Sequence, residues 1–178
     1  SFNEYAYSDA PSLKEHASLV RSAATEGMVL LENRNGVLPL NNDIKKVALL
    51  GVGAYDIVVG GHGSGYVYCS HKSSLEQGLV EAGLQPDSNL AITYASYISQ
   101  QKEMLPEENF WHIPTVPELK ITREELDYLA NTCDIAILTI CRKSGEGDDR
   151  KLEKGDYYLT DQELQMIMDT SSAFKSRG

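Results

Sequence analysis

Apolar positions along the chain follow two patterns. In four places a Ser or Thr stands three residues before a Glu: Ser12 to Glu15, Ser73 to Glu76, Thr122 to Glu125 and Thr160 to Glu163. Apolar residues then recur every three or four positions. Such a start satisfies the orphan amides of a helix N-terminus, and the spacing lays an apolar stripe along one helix face. The first helix follows Pro11, carries Leu13, Ala17, Val20 and Ala24, and ends near Gly27. The second runs to about Gly83 through Leu75, Leu79 and Val80. Leu126, Leu129 and Ala130 form the stripe of the third, and Leu164, Ile167 and Met168 that of the fourth.

Short apolar runs lie between these helices. Met28 to Leu31 and Val37 to Leu40 flank the turn signal Asn33-Arg34-Asn35-Gly36, which predicts a small hairpin. Lys46 to Gly51, Ala91 to Tyr94 and Asp134 to Ile140 are near-continuous apolar runs. They do not alternate, as expected of parallel strands covered by helices on both faces. Strand, helix, strand, helix, strand, helix is an α/β order, so a mostly parallel sheet flanked by helices is expected. The last helix runs out toward Gly178 with no strand after it, and the sheet is therefore expected to lack its final strands. Between Ser99 and Lys120 lies a long polar connection containing Pro106, Pro114, Pro117 and the single tryptophan, Trp111. A connection this long inside a compact domain is commonly functional.

Composition narrows the function. Sixteen Lys and Arg against twenty-six Asp and Glu give a net charge of -10, which argues against nucleic-acid phosphates or an anionic membrane as partners. No apolar run approaches the roughly 18 residues of a membrane helix. The start, Ser1-Phe2-Asn3-Glu4, has no initiator Met and no secretory leader pattern. The chain is thus expected to be cut from something larger, and its compartment is not readable. Cys69, Cys133 and Cys141 show no zinc spacing. They are expected to be buried or half-buried thiols, with Cys133 and Cys141 at opposite ends of one strand.

Two stretches carry candidate chemistry. Gly60-Gly61-His62-Gly63-Ser64-Gly65 allows positive φ and close approach of a ligand to the backbone. It lacks the GxxxxGK[ST] pattern of a phosphate loop, and Gly51-Val52-Gly53 has Asp56 where a dinucleotide fingerprint needs its third glycine. A tight turn without a ligand is the plain alternative. The second stretch, Ser144-Gly145-Glu146-Gly147-Asp148-Asp149-Arg150, begins four residues after the apolar run ending at Ile140. In open α/β sheets ligands bind beyond the carboxyl ends of the strands. A carboxylate between two glycines there can reach into a cleft, or form part of a solvated charged loop. Arg142, Lys143 and Arg150 are placed to hold that loop by pairing with Asp148 or Asp149. Its carboxylates lack calcium-loop spacing, so no metal and no cofactor is expected.

Five motifs in order resemble one family: Glu26 to Asn33, Gly36 to Leu40, Gly60 to Gly65, Ser144 to Arg150 and Gly155 to Leu159. Together they are similar to the C-terminal domain of glycoside hydrolase family 3, the β-glucosidase and β-xylosidase family, over about residues 16–170. The resemblance implies residues 1–40 as a leading helix and hairpin linking from a neighbouring domain, and 41–178 as the α/β domain, incomplete at its C-terminus. It implies a site shared with a barrel domain that supplies a nucleophilic Asp, while Glu146 of the Ser-Gly-Glu-Gly motif supplies the acid/base. Ser64 is implied as a contact to the cleaved sugar, and Asp148 and Arg150 as braces of the loop. His62 and Trp111 are candidate substrate contacts. His62 lies in a variable slot, and Trp111 serves either as a sugar platform or as an anchor of its loop. The implied activity is release of terminal β-D-glucosyl residues from short glucosides with retention, and this chain alone would lack the nucleophile. A β-xylosidase, a non-catalytic sugar-binding or interface module, and a nucleotide-binding domain are the rival readings.

Overall fold

The structure is a computed structural model that describes residues 13–67, 72–147 and 149–175. The chain divides between Asn41 and Asn42 into two compact units. In the first, a helix spans Leu13–Glu26 (α1); Ser12, its expected cap, lies outside the described residues. The two apolar runs that follow form no hairpin. A 3-10 turn covers Arg34–Gly36, and the Asn33 side chain takes both backbone groups of Leu38. Its Nδ2 donates to the Leu38 carbonyl at 2.7 Å and its Oδ1 accepts from the Leu38 N–H at 3.0 Å. One side-chain amide thus occupies the groups a cross-strand partner would use. Leu30 and Leu31 stay exposed.

The second unit is built on three parallel strands, Lys46–Leu50 (β1), Gln85–Pro86 (β2) and Ile135–Leu138 (β3), in the order β2-β1-β3. Val47 sits opposite Pro86 on one side and Ile135 on the other, and the β1–β3 register continues to Leu50 opposite Leu138. The helices are Leu75–Glu81 (α2), Ser88–Met104 (α3), Arg123–Thr132 (α4) and Asp161–Lys175 (α5). β1 is buried on both faces. Ala48 and Leu50 pack with Leu90 and Tyr94 of α3, Leu126 and Leu129 of α4 and Ala173 of α5. Val47 and Leu49 pack on the other face with Leu79 of α2, Ile135 and Ile137. β3 is only half-buried. Among the described residues it has one neighbouring strand, so the sheet is open on that side.

Ala91 to Tyr94, expected as a strand, lies inside α3. Asp87 caps that helix by accepting from the Leu90 N–H at 2.9 Å. Leu90, Tyr94 and Ile98, four residues apart, bury one face. That helical period outweighs a four-residue apolar run. The strand of this region is the two-residue β2 instead. The cap of α2 is Ser74 rather than Ser73, its Oγ accepting from the Gln77 N–H. The other two boxes form as the sequence predicts, Thr122 with Glu125 and Thr160 with Glu163.

Because β1 and β3 run parallel, the loops that follow them leave from the same edge of the sheet. Tyr94 and Glu118 fix that edge. Tyr94 Oη accepts from the Gly51 N–H at 2.8 Å, and the Glu118 carboxylate accepts from the Val52 N–H at 3.0 Å. Burial pushes the Glu118 carboxyl above its ordinary value and the Tyr94 phenol far above its own. Cys133 is buried and Cys141 exposed, both as free thiols; Cys69 lies outside the described residues. No described helix is long and apolar enough to cross a membrane.

Candidate functional site

The glycine turn after β1 and the Ser144–Gly147 loop after β3 pack directly on one another. At Gly61, Gly63 and Gly145 the Cα side is filled by backbone or side-chain atoms of the other loop, which is why glycine is needed on both sides. A Cβ on Gly145 would lie 2.5 Å from the His62 ring. A Cβ on Gly63, whose φ of +66° already disfavours a side chain, would lie 2.6 Å from Glu146 Cβ and 2.8 Å from its Oε2. The Glu146 N–H donates to the His62 carbonyl at 3.3 Å. Glu146 Oε2 in turn accepts from the Ser64 N–H at 2.8 Å. Ser64 and Glu146, 82 positions apart, are therefore joined directly.

The connection from 105 to 117 forms the third wall. The Gly63 N–H donates to the Phe110 carbonyl at 2.7 Å. Asn109 and His112 exchange backbone hydrogen bonds, and Asn109 Oδ1 accepts from the Trp111 N–H at 3.0 Å. Phe110 meets Trp111 edge to face and lies tilted against Tyr66. Trp111 remains 69% exposed. An open cleft results, lined by His62, Trp111, His112, Lys143 and Glu146 among others. Among its described lining residues Glu146 is the one carboxylate. Its carboxyl is held below the ordinary glutamate value, first by the Ser64 N–H and hydroxyl and then by the nearby His62.

The two arginines around the loop bind Asp156 and Glu163. Arg150 binds the Asp156 carboxylate, whose other oxygen accepts from the Lys151 N–H at 2.6 Å. Arg142 binds Glu163 of α5 through two parallel hydrogen bonds of 2.6 and 2.7 Å. Its remaining donors reach the carbonyls of Cys141, Asp156 and Tyr158. Both arginines therefore hold the base of the loop to the Asp156–Glu163 segment, Arg142 through the two-pronged fork to Glu163 and Arg150 through one oxygen of Asp156. Asp148, expected as a brace, lies outside the described residues. The role of Arg142 and Glu163 was not read from the sequence. An Arg four positions past the end of β3, with a capping-box Glu at the start of the next helix, was the available signal.

The glycine turn carries no phosphate-loop geometry. It is occupied by the Ser144–Gly147 backbone, against which a Cβ on Gly61 would come within 2.6 Å of the Ser144 carbonyl. Among the described residues no group of three His, Cys, Asp or Glu side chains is arranged to hold a metal ion.

Four likenesses bear on this arrangement. The family model described as glycosyl hydrolase family 3 C-terminal domain matches residues 28–176. β-Glucosidase A of Butyrivibrio fibrisolvens is 32% identical over 92% of this chain, which spans 22% of that protein's length. A β-glucosidase of Ruminococcus albus is 30% identical over 86% of this chain, which spans 16% of its length. The structure of β-glucosidase 3B from Thermotoga neapolitana in complex with α-D-glucose superposes with a TM-score of 0.88 at 38% identity. It covers 97% of this chain and 24% of its own.

Proposed function

The chain belongs to glycosyl hydrolase family 3 as its C-terminal domain, and from that premise we propose that it carries the acid/base of a retaining exo-β-glucosidase. Glu146 is the proposed proton donor and acceptor, acting on terminal β-D-glucosyl residues of short glucosides. The observation that carries this reading is the Glu146 carboxylate, set between two glycines beyond the carboxyl end of β3 and facing an open cleft. Family membership and the β-glucosidase relatives set the reaction class.

A retaining glycosidase needs two carboxyls about 5–5.5 Å apart, one attacking the anomeric carbon and one protonating the leaving oxygen. The second carboxyl is proposed to come from a barrel domain docked over the cleft. Residues 1–40 are read as the connection to that domain. Support for a docked partner comes from Met28 to Leu31, whose side chains are 61–92% exposed. The low pKa of Glu146 in this chain fits a base and opposes an acid. A nucleophile carboxylate nearby, together with desolvation by bound sugar, would raise it into the acid's range. On this reading the purified 178-residue chain gives no turnover of an aryl β-glucoside, and adding the barrel domain restores it. Measurable turnover by the chain alone would overturn the shared-site reading.

Ser64 and His62 are proposed to touch the sugar in the cleaved position. Trp111, exposed at the rim, is proposed to stack on the leaving sugar of longer glucosides. Trp111→Ala, assayed with the barrel present, should raise KM for cellotriose several-fold, roughly the 1 kcal/mol of an exposed aromatic contact. KM for a small aryl glucoside should hold. Equal KM values for cellotriose in both proteins would return Trp111 to an anchor of its loop.

A further inference from the structure

Gly63 stands where three separated segments meet. Its N–H donates to the Phe110 carbonyl, its Cα side is filled by Glu146 with no room for a Cβ, and its neighbour Ser64 donates to Glu146 Oε2. Glu146 itself is exposed, and an exposed glutamate retains several rotamers unless something fixes it. We propose that Gly63 and Ser64 form a carboxylate clamp, in which they act as positioning residues that hold Glu146 in one orientation toward the cleft. This rests on the acid/base reading of Glu146 and adds to it a second role for Ser64, separate from sugar contact.

The clamp has a pH consequence. Donors aimed at the ionised carboxylate favour that form, so both Ser64 groups lower the carboxyl's pKa. The other titratable groups around the cleft are His62 on the glycine turn, His112 on the Phe110 connection and Lys143 on the loop of Glu146. Of these, His62 acts in the same direction as Ser64, and none is removed by substitution at Ser64. Ser64→Ala keeps the backbone N–H and removes the hydroxyl. Ser64→Thr keeps both.

The test is the pH profile of kcat/KM, measured with the barrel domain present. The alkaline limb reports the free enzyme's acid. It should move to higher pH in Ser64→Ala and return to the wild-type position in Ser64→Thr. Gly63→Ala forces the carboxylate off its place. It should lower kcat/KM on cellobiose about 10²-fold, the scale of a 1 Å misplacement, and lower kcat/KM less on an aryl glucoside with a good leaving group. Far-UV circular dichroism and a cooperative thermal transition like that of the wild type show that each variant is folded. An alkaline limb unmoved in Ser64→Ala, with KM alone raised, overturns the clamp and leaves Ser64 a sugar contact. Near-full cellobiose activity in Glu146→Ala would instead bring down the acid/base reading beneath it.

Discussion

Replacing Glu146 by alanine, with the barrel domain present, is expected to lower kcat/KM on cellobiose by roughly 10²–10⁴, the value of a positioned general acid. The size of the loss should depend on the leaving group. The leaving group of cellobiose is a second glucose, which would depart as a sugar alkoxide and so needs the proton, whereas a nitrophenolate leaves without it. The first chemical step on an activated aryl glucoside should therefore be nearly spared. Hydrolysis of the glycosyl-enzyme, which needs Glu146 as base toward water, becomes the slow step, so KM for the aryl substrate should fall along with kcat. The Ser64 N–H and the His62 ring around Glu146 remain in the variant, so a loss of this pattern reports the carboxylate itself. Equal losses on both substrates would make Glu146 a positioning group.

Arg142→Ala is the substitution expected to cost most stability. The pair with Glu163 leaves only 20% and 10% of the two side chains exposed. Removing the arginine strands a buried carboxylate whose one remaining donor from another residue's backbone is the Thr160 N–H. It also strips a donor from the carbonyls of Asp156 and Tyr158. Breaking one side of such a pair costs about 3–5 kcal/mol, which for a domain of this size lowers Tm by roughly 6–20 °C. Arg142→Lys should recover only part of this, because a point charge cannot reproduce the two-pronged grip and the three carbonyl contacts.

The same pair fixes a pH dependence. Arg142 holds the Glu163 carboxyl below its ordinary 4.5, chiefly through the hydrogen bonds, against the opposing effect of burial. A depressed folded-state pKa contributes stability that is fully present above the unfolded value and is lost as pH falls through the folded one. Acidification below pH 4.5 should therefore narrow the Tm difference between wild type and Arg142→Ala. A difference that stays constant down to pH 2 would show that the ion pair is not its source.

How much of this was legible in the sequence depends on how local each signal is. The Thr122 and Thr160 caps involve residues three apart, and both form as the spacing predicts. β1 and β3 were legible because a strand buried among helices must be apolar throughout, although β3, with one neighbour, is only half-buried. Ala91 to Tyr94 was misread because four apolar residues fit either period. The Asp87 cap and the Leu90-Tyr94-Ile98 stripe decide it, and they become visible only over eleven residues or more. The hairpin at Asn33 failed for a different reason, since nothing in a turn signal tells that the Asn side chain will take Leu38's backbone groups. In the candidate site, Glu146 and the glycine turn stood out as motifs. Their contact across 82 positions did not, and neither did the choice of Glu163 over the nearer Asp148 and Asp149 as the partner of Arg142. The first is set by how β1 and β3 sit side by side and the second by where α5 lies against the segment after β3, which sequence spacing does not encode.

The most direct measurement is the product that Glu146→Ala forms from an activated aryl β-glucoside in the presence of azide. With the acid/base gone, a small anion needing no proton removed can enter beside the anomeric carbon and attack the glycosyl-enzyme. Azide should accelerate turnover and yield β-glucosyl azide, identified by the coupling of its anomeric proton in NMR. No acceleration and no β-glucosyl azide, with the protein folded and the first step still fast, would contradict Glu146 as the acid/base.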